Sequence, residues 1–277
     1  MRPAAPSQLA LAITAPLPPA RSAPDGVRAL NGVAYAALPG IRPLELDLYL
    51  PAEASIGAPV PVVVFLHGGG WRLGSRHSAG PAYTGRSPSP FERFAAAGIA
   101  VASIDYRLSG EARWPAQLHD AKAAVRWLRA RAGELDVDLD RIAAWGESSG
   151  GHLAALLGLT GARVEDPKLE GDVGVVGPSS EVVAVVAWYP PTDLAALPGD
   201  LGADSMDPDS REALLLGAPL ATVPELVAQA SPVTHVRPGA PPFLLLHGSS
   251  DGLIPHVQSV RLRDLRKRLY TGEIRME

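Results

Sequence analysis

The 277-residue sequence predicts an α/β fold in which helices cover both faces of a mostly parallel sheet. The first observation behind this prediction is that apolar, β-branched runs of strand length recur without alternating with polar residues, as in strands buried on both faces. The second is that helical patterns separate these runs, which implies right-handed parallel crossovers. In such a sheet the ligand site lies at the carboxyl ends of the strands.

Each predicted element follows from its own stretch of sequence. In residues 115–135 the pattern predicts a helix, because Pro115 suits its start and Gly133 suits its end. Residues 141–159, RIAAWGESSGGHLAALLGL, predict a strand, a tight turn and a helix in succession. Four further stretches have the composition of buried strands that end in turns: 60–71, 98–108, 181–194 and 241–255.

The sequence divides into a leader at residues 1–25 and one α/β domain at residues 26–277. The leader is rich in Pro and Ala, and its apolar stretch LALAITA only loosely resembles a signal peptide because prolines bracket it. A cytoplasmic protein is therefore predicted, with secretion as the alternative. Segment 196–236 contains short helical pieces and is interpreted either as a cap over the site or as an ordinary long connection.

The composition restricts the classes of partner. A net charge of −4 gives no electrostatic reason to expect a nucleic acid. The absence of cysteine excludes disulfides, thiolate metal sites and a cysteine nucleophile. No apolar run reaches the ~20 residues that span a bilayer. We expect a small-molecule substrate and no metal or cofactor, and the oligomeric state stays open.

The stretch WGESSGGH, residues 145–152, carries the first chemical signal. It fits G-x-S-x-G between a strand and a helix, where small residues permit a sharp turn that lifts a serine out of the sheet. Ser148 has glycines two residues before and after it, and Ser149 does not. Ser148 is therefore the candidate nucleophile, and the N–H of Ser149 is expected to face a developing oxyanion. A purely structural turn is the alternative.

The stretch HGGGW, residues 67–71, follows the first strong strand. Three successive glycines let backbone N–H groups face one point, as the stabilisation of a tetrahedral oxyanion requires. A flexible loop or a phosphate-binding turn is the alternative, but Trp71 stands where a phosphate loop would have lysine. His67 is interpreted as a brace for this loop. The last clear strand is followed by HGSSDGLIP, which places Asp251 in a turn at the same edge of the sheet.

Five motifs together resemble one known superfamily: HGGGW, DYRL, WPAQLHDAKAAVRWL, GESSGGHLAAL and HGSSDGLIP. The chain is similar over about residues 30–265 to the α/β-hydrolases, within the HGGGW carboxylesterases that include hormone-sensitive-lipase-like and feruloyl- or acetyl-esterase-like enzymes. The order of serine before acid also matches that superfamily.

The resemblance implies site residues and a branch of the family. Ser148 would be the nucleophile and Asp251 the acid that orients a histidine. The N–H groups of Gly69, Gly70 and Ser149 would form the oxyanion hole. Hormone-sensitive-lipase relatives usually have aspartate at the position before the nucleophile, so the glutamate in GESSG favours the feruloyl-esterase-like branch.

The catalytic histidine of this group follows the acid, on a loop after one more strand. His256 is the only histidine after Asp251, and it stands where the group begins a helix. The remaining histidines precede the acid: His67, His77, His119, His152, His235 and His247. We therefore expect the C-terminal strand and histidine loop to be missing, and interpret the chain as truncated or altered there. A protein that uses the fold without a full triad is the alternative.

These observations predict a serine carboxylesterase that hydrolyses short-chain acyl esters through an acyl-enzyme on Ser148. Its activity is expected to be weak or absent, because no histidine is well placed. An arylformamidase or other amide hydrolase is a second interpretation, since those enzymes resemble the same group. A non-catalytic ligand-binding homologue is the third, and the missing histidine favours it.

Overall fold

The computed structural model of the protein describes residues 15–52, 59–161, 167–269 and 275–276. One sheet of nine strands forms the centre of the molecule. The strands are β1 (Arg21–Ser22), β2 (Arg28–Ala36), β3 (Leu44–Leu50), β4 (Val60–Leu66), β5 (Ala100–Ile104), β6 (Val137–Glu147), β7 (Val185–Trp188), β8 (Phe243–Leu246) and β9 (Arg275–Met276). Their spatial order is β1-β2-β3-β5-β4-β6-β7-β8-β9.

The turn at Ser148 between β6 and the helix that follows it is called the elbow below. The parallel part of the sheet runs from β5 to β9. It contains β6, which precedes the elbow, and the strands predicted in the four other apolar stretches, which are β4, β5, β7 and β8. In register, Leu66 at the end of β4 lies beside Ile104 of β5 and Gly146 of β6. The carboxyl ends of these strands are therefore level. The glycine loop and the serine turn both start from this edge, as the sequence predicted.

The antiparallel strands β1, β2 and β3 were not predicted. The sequence of β2, RALNGVAYA, has Asn and Gly at its centre, which is typical of a turn. The structure instead places a β-bulge there, with a register shift between Leu30 and Val33 and Gly32 at a φ of 67°. The N–H of Gly32 donates to Oδ1 of Asp47 on β3 at 2.8 Å. A buried carboxylate therefore satisfies the N–H that the bulge frees.

The expectation of a missing C-terminal strand is wrong, because β9 pairs in parallel with β8 at the edge of the sheet. The stretch EIRME shows no apolar run, and an edge strand of two residues needs none to form its few backbone hydrogen bonds. His256 is the last histidine of the sequence, and the missing histidine loop stays a prediction.

The chain joins the sheet before the predicted domain boundary at residue 26. Arg21 and Ser22 pair antiparallel with β2. Residues 1–14 of the predicted leader lie outside the described residues.

Helices lie on both faces of the sheet, as predicted. Along β4, Val64 and Leu66 pack into the larger core, and Phe65 packs with Phe91 of the first helix into a core on the opposite face. No helix of the described ranges is long and apolar enough to cross a membrane. The helices are α1 (Pro90–Ala96), α2 (Ala116–Ala130), α3 (Ala132–Leu135), α4 (Ser149–Thr160), α5 (Pro167–Glu170), α6 (Leu197–Leu201), α7 (Arg211–Leu216), α8 (Pro224–Ala230) and α9 (Val257–Leu269).

The predicted helix over 115–135 is two helices, α2 and α3, separated at Arg131. Gly133 lies inside α3 and does not end it; the left-handed residue that follows α3 is Asp136, at a φ of 53°.

Segment 196–236 contains α6, α7 and α8 and packs close to the elbow helix α4. Trp114 donates its backbone N–H to the carbonyl of Leu215 at 2.9 Å and its indole N–H to Oε1 of Gln229 at 3.0 Å. Nε2 of His152 on α4 lies 2.6 Å from the carbonyl oxygen of Ala230. The interpretation of the segment as a cap stays a prediction, but these contacts hold it against α4.

Candidate active site

Ser148 occupies a strained turn between β6 and α4. Its φ is 51° and its ψ is −120°, a conformation that is rare for any residue except glycine. A Cβ on Gly146 would overlap the carbonyl of Gly150, and a Cβ on Gly150 would overlap the carbonyl of Leu66. Both glycines of G-x-S-x-G are therefore required by direct backbone contact. Such strain costs roughly 1–3 kcal/mol and persists only where the surroundings enforce it.

The hydroxyl of Ser148 is left available by this arrangement. The backbone N–H of Ser148 donates to the carbonyl of Trp188 at 2.8 Å, which fixes the turn to β7. The Ser148 side chain is half-buried, and its Oγ hydrogen-bonds to no residue that the structure describes.

Each glycine of the loop after β4 has a different neighbour where a side chain would stand. A Cβ on Gly68 would lie 3.0 Å from Oε1 of Glu147. A Cβ on Gly69 would overlap the backbone of Leu73. On Gly70, it would lie 2.7 Å from Cδ of Arg211. Gly69 and Gly70 also have φ values of 118° and 62°. The three glycines therefore serve close packing as well as backbone freedom.

The N–H groups of Gly69, Gly70 and Ser149 have no hydrogen-bond acceptor among the described residues. Ser149 begins α4, so its N–H lies at the electropositive end of a 12-residue helix. The two segments are in contact, because a Cβ on Gly150 would also approach the carbonyl of His67. The start of the glycine loop therefore packs against the start of α4, and the oxyanion hole of Gly69, Gly70 and Ser149 stays a prediction.

His67 braces the glycine loop, as the sequence indicated. Its Nδ1 lies 2.7 Å from the carbonyl oxygen of Gly68, and its ring stacks on Tyr106 with a centroid distance of 4.3 Å. The hydroxyl of Tyr106 donates to the carbonyl of His67 at 2.9 Å. Burial lowers the pKa of His67 below its usual value, so the ring is neutral near pH 7.

Glu147 connects three parts of the site, a role that the sequence did not reveal. Its Oε1 accepts the N–H of Gly68 at 3.3 Å, and its Oε2 accepts the hydroxyl of Tyr189 at 2.5 Å. It also touches Gly80 in the long loop after Trp71. The sequence signal was its position directly before the nucleophile, which was interpreted only as a marker of the family branch.

Tyr189 is itself in an unusual conformation, with a φ of 37° directly after β7. Burial, followed by its hydrogen bond to Glu147, raises the pKa of Tyr189 well above its usual value. Tyr189 therefore stays protonated, and its hydroxyl donates a hydrogen bond to the buried carboxylate of Glu147.

Asp251 lies in the turn after β8 and accepts two backbone N–H groups. Its Oδ1 is 2.8 Å from the nitrogen of Leu253 and 3.0 Å from that of Ile254. Its Oδ2 lies 3.7 Å from Nε2 of His247. The free oxygen of the predicted acid thus faces a histidine that precedes it in the sequence.

His247 is not placed to act as a base for Ser148. Its Nδ1 is 2.8 Å from Oγ of Ser259, and its Nε2 is 2.8 Å from the carbonyl oxygen of Ile254. Both ring nitrogens are therefore engaged inside the protein, and burial lowers the pKa of the ring. The His256 ring lies perpendicular to it, at a centroid distance of 5.6 Å.

His152 joins the glycine loop, α4 and α8. Its Nδ1 accepts the indole N–H of Trp71 at 3.3 Å, so its protonated Nε2 donates to the carbonyl of Ala230. Burial lowers the pKa of His152 to about 4, which keeps the ring neutral. This histidine therefore packs and braces inside the protein.

All seven histidines lie in the described residues, and none of them hydrogen-bonds to Ser148. The other three have partners elsewhere. His77 contacts Asp47, His119 contacts the carbonyl of Lys168, and His235 contacts that of Gln229. No histidine of the described residues is therefore within hydrogen-bond distance of Ser148, and the lack of a well-placed base stays a prediction.

The profile of the BD-FAE family matches residues 46–265. The chain is 37% identical over 201 residues to esterase LipC of Mycobacterium tuberculosis, covering 73% of this chain and 47% of that protein. It is 31% identical over 223 residues to the probable carboxylic ester hydrolase LipM of the same organism, covering 79% and 48%. The chain thus spans about half the length of the curated relatives it matches.

Solved structures of esterases have the same fold. A truncated form of a carbohydrate esterase from gut microbiota superposes with a TM-score of 0.76 at 32% identity, covering 92% of this chain and 88% of that one. Esterase 2 of Thermogutta terrifontis, phosphorylated by paraoxon, superposes with a TM-score of 0.68 at 27% identity, covering 91% and 81%.

Proposed function

Because the chain belongs to the BD-FAE family of α/β-hydrolases, we propose that it is a carboxylesterase that cleaves small-molecule esters through an acyl-enzyme on Ser148. The observation that supports this proposal is the strained turn at Ser148, which contacts the start of a glycine loop whose N–H groups have no acceptor among the described residues. Short-chain acyl esters are the proposed substrates. The similarity to a carbohydrate esterase makes acylated sugars the first natural class to test.

In the proposed reaction, Oγ of Ser148 attacks the ester carbonyl. The N–H groups of Gly69, Gly70 and Ser149 donate to the oxyanion that forms. The C–O bond to the alcohol then breaks, the alcohol leaves with a proton, and water later releases the acid from Ser148. Asp251 would orient a histidine in the full triad.

Proton transfer is the step that this chain does not support. None of its histidines hydrogen-bonds to Ser148, so the proton of the attacking hydroxyl passes to solvent. An oxyanion hole without a complete triad still accelerates acyl transfer by roughly 10³–10⁴ over water. We therefore propose slow turnover, in which attack by Ser148 on the ester is faster than attack by water on the acyl-enzyme.

A non-catalytic ligand-binding protein is the second candidate, and the lack of a histidine at Ser148 favours it. Covalent labelling separates the two functions, because an organophosphate reacts appreciably only with a serine that a base or an oxyanion hole activates. The purified chain is incubated with paraoxon, and the modified peptide is identified by mass spectrometry. We expect slow phosphorylation of Ser148.

The controls for labelling are two neighbouring serines. Ser148→Ala should abolish the label, and Ser149→Ala should keep it, because Ser149 contributes only its backbone N–H. A label on Ser149, or no label after prolonged incubation, would argue against the esterase and for the binding protein.

A further inference from the structure

Three arginines beside the candidate active site have no partner, although most arginines of the described chain do. Arg76 and Arg107, for example, form ion pairs with buried carboxylates. The exposed side chains of Arg72, Arg113 and Arg211 make no hydrogen bond or ion pair with any described residue. These three residues are called the arginine rim below.

Arg211 lies against the candidate oxyanion hole. Its Cδ is 2.7 Å and its Nε is 3.4 Å from the position that a Cβ on Gly70 would occupy. The guanidinium therefore stands next to a loop whose Gly70 N–H has no acceptor. It comes from α7, in the segment interpreted as a cap.

The other two arginines border the same loop and helix. Arg72 follows Trp71, and its backbone N–H donates to the carbonyl of Gly69 at 3.2 Å. The side chain of Arg113 fills the space beside Gly217, the residue that caps the C-terminus of α7. The arginine rim thus extends from the glycine loop along α7.

No carboxylate of the described chain neutralises the arginine rim by direct contact. The charge of Arg211 acts on the neighbouring carboxylate of Glu212. No hydrogen bond or ion pair joins Arg211 to Glu212 or to the aspartates before α7, which are Asp204, Asp207 and Asp209. The Arg211 guanidinium beside the glycine loop attracts anions, and a guanidinium binds a carboxylate through two parallel hydrogen bonds.

We propose that the arginine rim, with Arg211 as its central residue, binds a carboxylate on the ester substrate, so that the site selects anionic esters. This inference deepens the proposed function and rests on it. A carboxylate near these exposed cations should bind about three- to tenfold more tightly than a neutral group of the same shape.

A role for Arg211 in stabilising the oxyanion is the competing explanation. The two roles differ in which ligand depends on Arg211. Oxyanion stabilisation affects the reaction of every ester alike and leaves the binding of intact esters unchanged. Recognition of a carboxylate affects only anionic ligands, and it affects them before any bond is broken.

The test measures binding in the Ser148→Ala background, where the esters stay intact and turnover is irrelevant. Dissociation constants are determined by calorimetry for two matched pairs. In 4-acetoxybenzoate and 4-acetoxybenzamide the charge differs on the alcohol side. In monophenyl adipate and phenyl hexanoate it differs on the acyl side, so the two pairs locate the carboxylate.

Arg211→Gln is then added to the same background, with Arg93→Gln as the matched control. Arg93 is also exposed and unpaired, but it lies on α1, which packs into the smaller core together with Phe65. We expect the anionic member of at least one pair to bind three- to tenfold more tightly than its neutral partner. Arg211→Gln should remove most of that preference, and Arg93→Gln should leave it unchanged. Raising NaCl to about 0.5 M should reduce it as well, because salt screens exposed charges.

Equal dissociation constants within both pairs, a preference that survives Arg211→Gln, or no measurable binding would overturn the inference. The paraoxon experiment on the protein with intact Ser148 tests the proposed function separately. A labelled Ser148 together with equal binding would leave the esterase standing and remove only the selection of anionic esters.

Discussion

At the scale of single residues, Glu147 explains how the glycine loop keeps its position relative to Ser148. Glu147 is the last residue of β6, directly before Ser148, and its carboxylate accepts the N–H of Gly68. That bond fixes the start of the loop, so that the following N–H groups remain free. Glu147 is therefore a positioning residue, which acts on the oxyanion hole through Gly68 and Tyr189.

Glu147→Ala should lower the rate of paraoxon labelling about a hundredfold, because a displaced oxyanion donor costs 10²–10³ in rate. Glu147→Gln should retain most of that rate, since its amide oxygen can still accept the N–H of Gly68. The measurement is the second-order rate constant of labelling at Ser148.

The matched control is Glu170→Ala, which removes a carboxylate bonded to Lys122 and Arg126, away from the site. It should lower the free energy of unfolding without changing the labelling rate of the folded protein. An equal loss of labelling in the Glu170 and Glu147 variants would show that Glu147 contributes only stability.

At the scale of elements, His152 holds α4 against the glycine loop and α8. Its pKa falls from 6.5 to about 4 on folding, so the unfolded chain binds the proton more readily. The stability that the neutral ring contributes is present above pH 6.5 and is lost as the pH falls toward 4. At pH 5 the loss from His152 alone is about 2 kcal/mol.

His152→Gln should therefore flatten the dependence of unfolding free energy on pH between 7 and 5. Urea titrations at each pH measure the free energy of unfolding of both proteins. His67 and His247 act in the same direction, because burial lowers the pKa of each, so a smaller pH dependence remains. A His152→Gln protein as acid-sensitive as the parent would contradict this role.

The elements that sequence could predict are those with an uninterrupted local pattern. Strand β4 has one, VPVVVFL, and the elbow has fixed glycine spacing. Strand β2 was missed because a bulge at Gly32 gives it the sequence of a turn, and β9 because two edge residues form no pattern. The contact between Glu147 and Tyr189 joins residues 42 apart, and no local rule reveals such a pair.

At the scale of the whole molecule, Arg76 joins the antiparallel edge of the sheet to the loop that leaves the site. Its guanidinium pairs with Asp47 at 2.9 Å, Glu45 at 2.9 Å and Asp105 at 2.5 Å. Asp47 is fully buried, so loss of the cation would leave uncompensated charge inside the protein.

Arg76→Met should lower the free energy of unfolding by about 3–5 kcal/mol, because breaking a buried pair leaves its partners unpaired. Arg141→Met removes an exposed pair with Asp138 and should lower the free energy of unfolding much less, because solvent screens exposed charges. Guanidinium unfolding monitored by tryptophan fluorescence compares the two. Equal losses would show that the buried pairs contribute no more than the exposed one.

The central claim is that Ser148 forms an acyl-enzyme although this chain supplies no base. The most direct measurement is the intact mass of the protein after mixing with p-nitrophenyl acetate and quenching in acid. The account predicts one acetyl group that accumulates on the peptide carrying Ser148, because slow water attack limits its release, and no acetyl group in Ser148→Ala. The same acetylation in Ser148→Ala, or rapid turnover without any trapped acetyl-enzyme, would contradict the account.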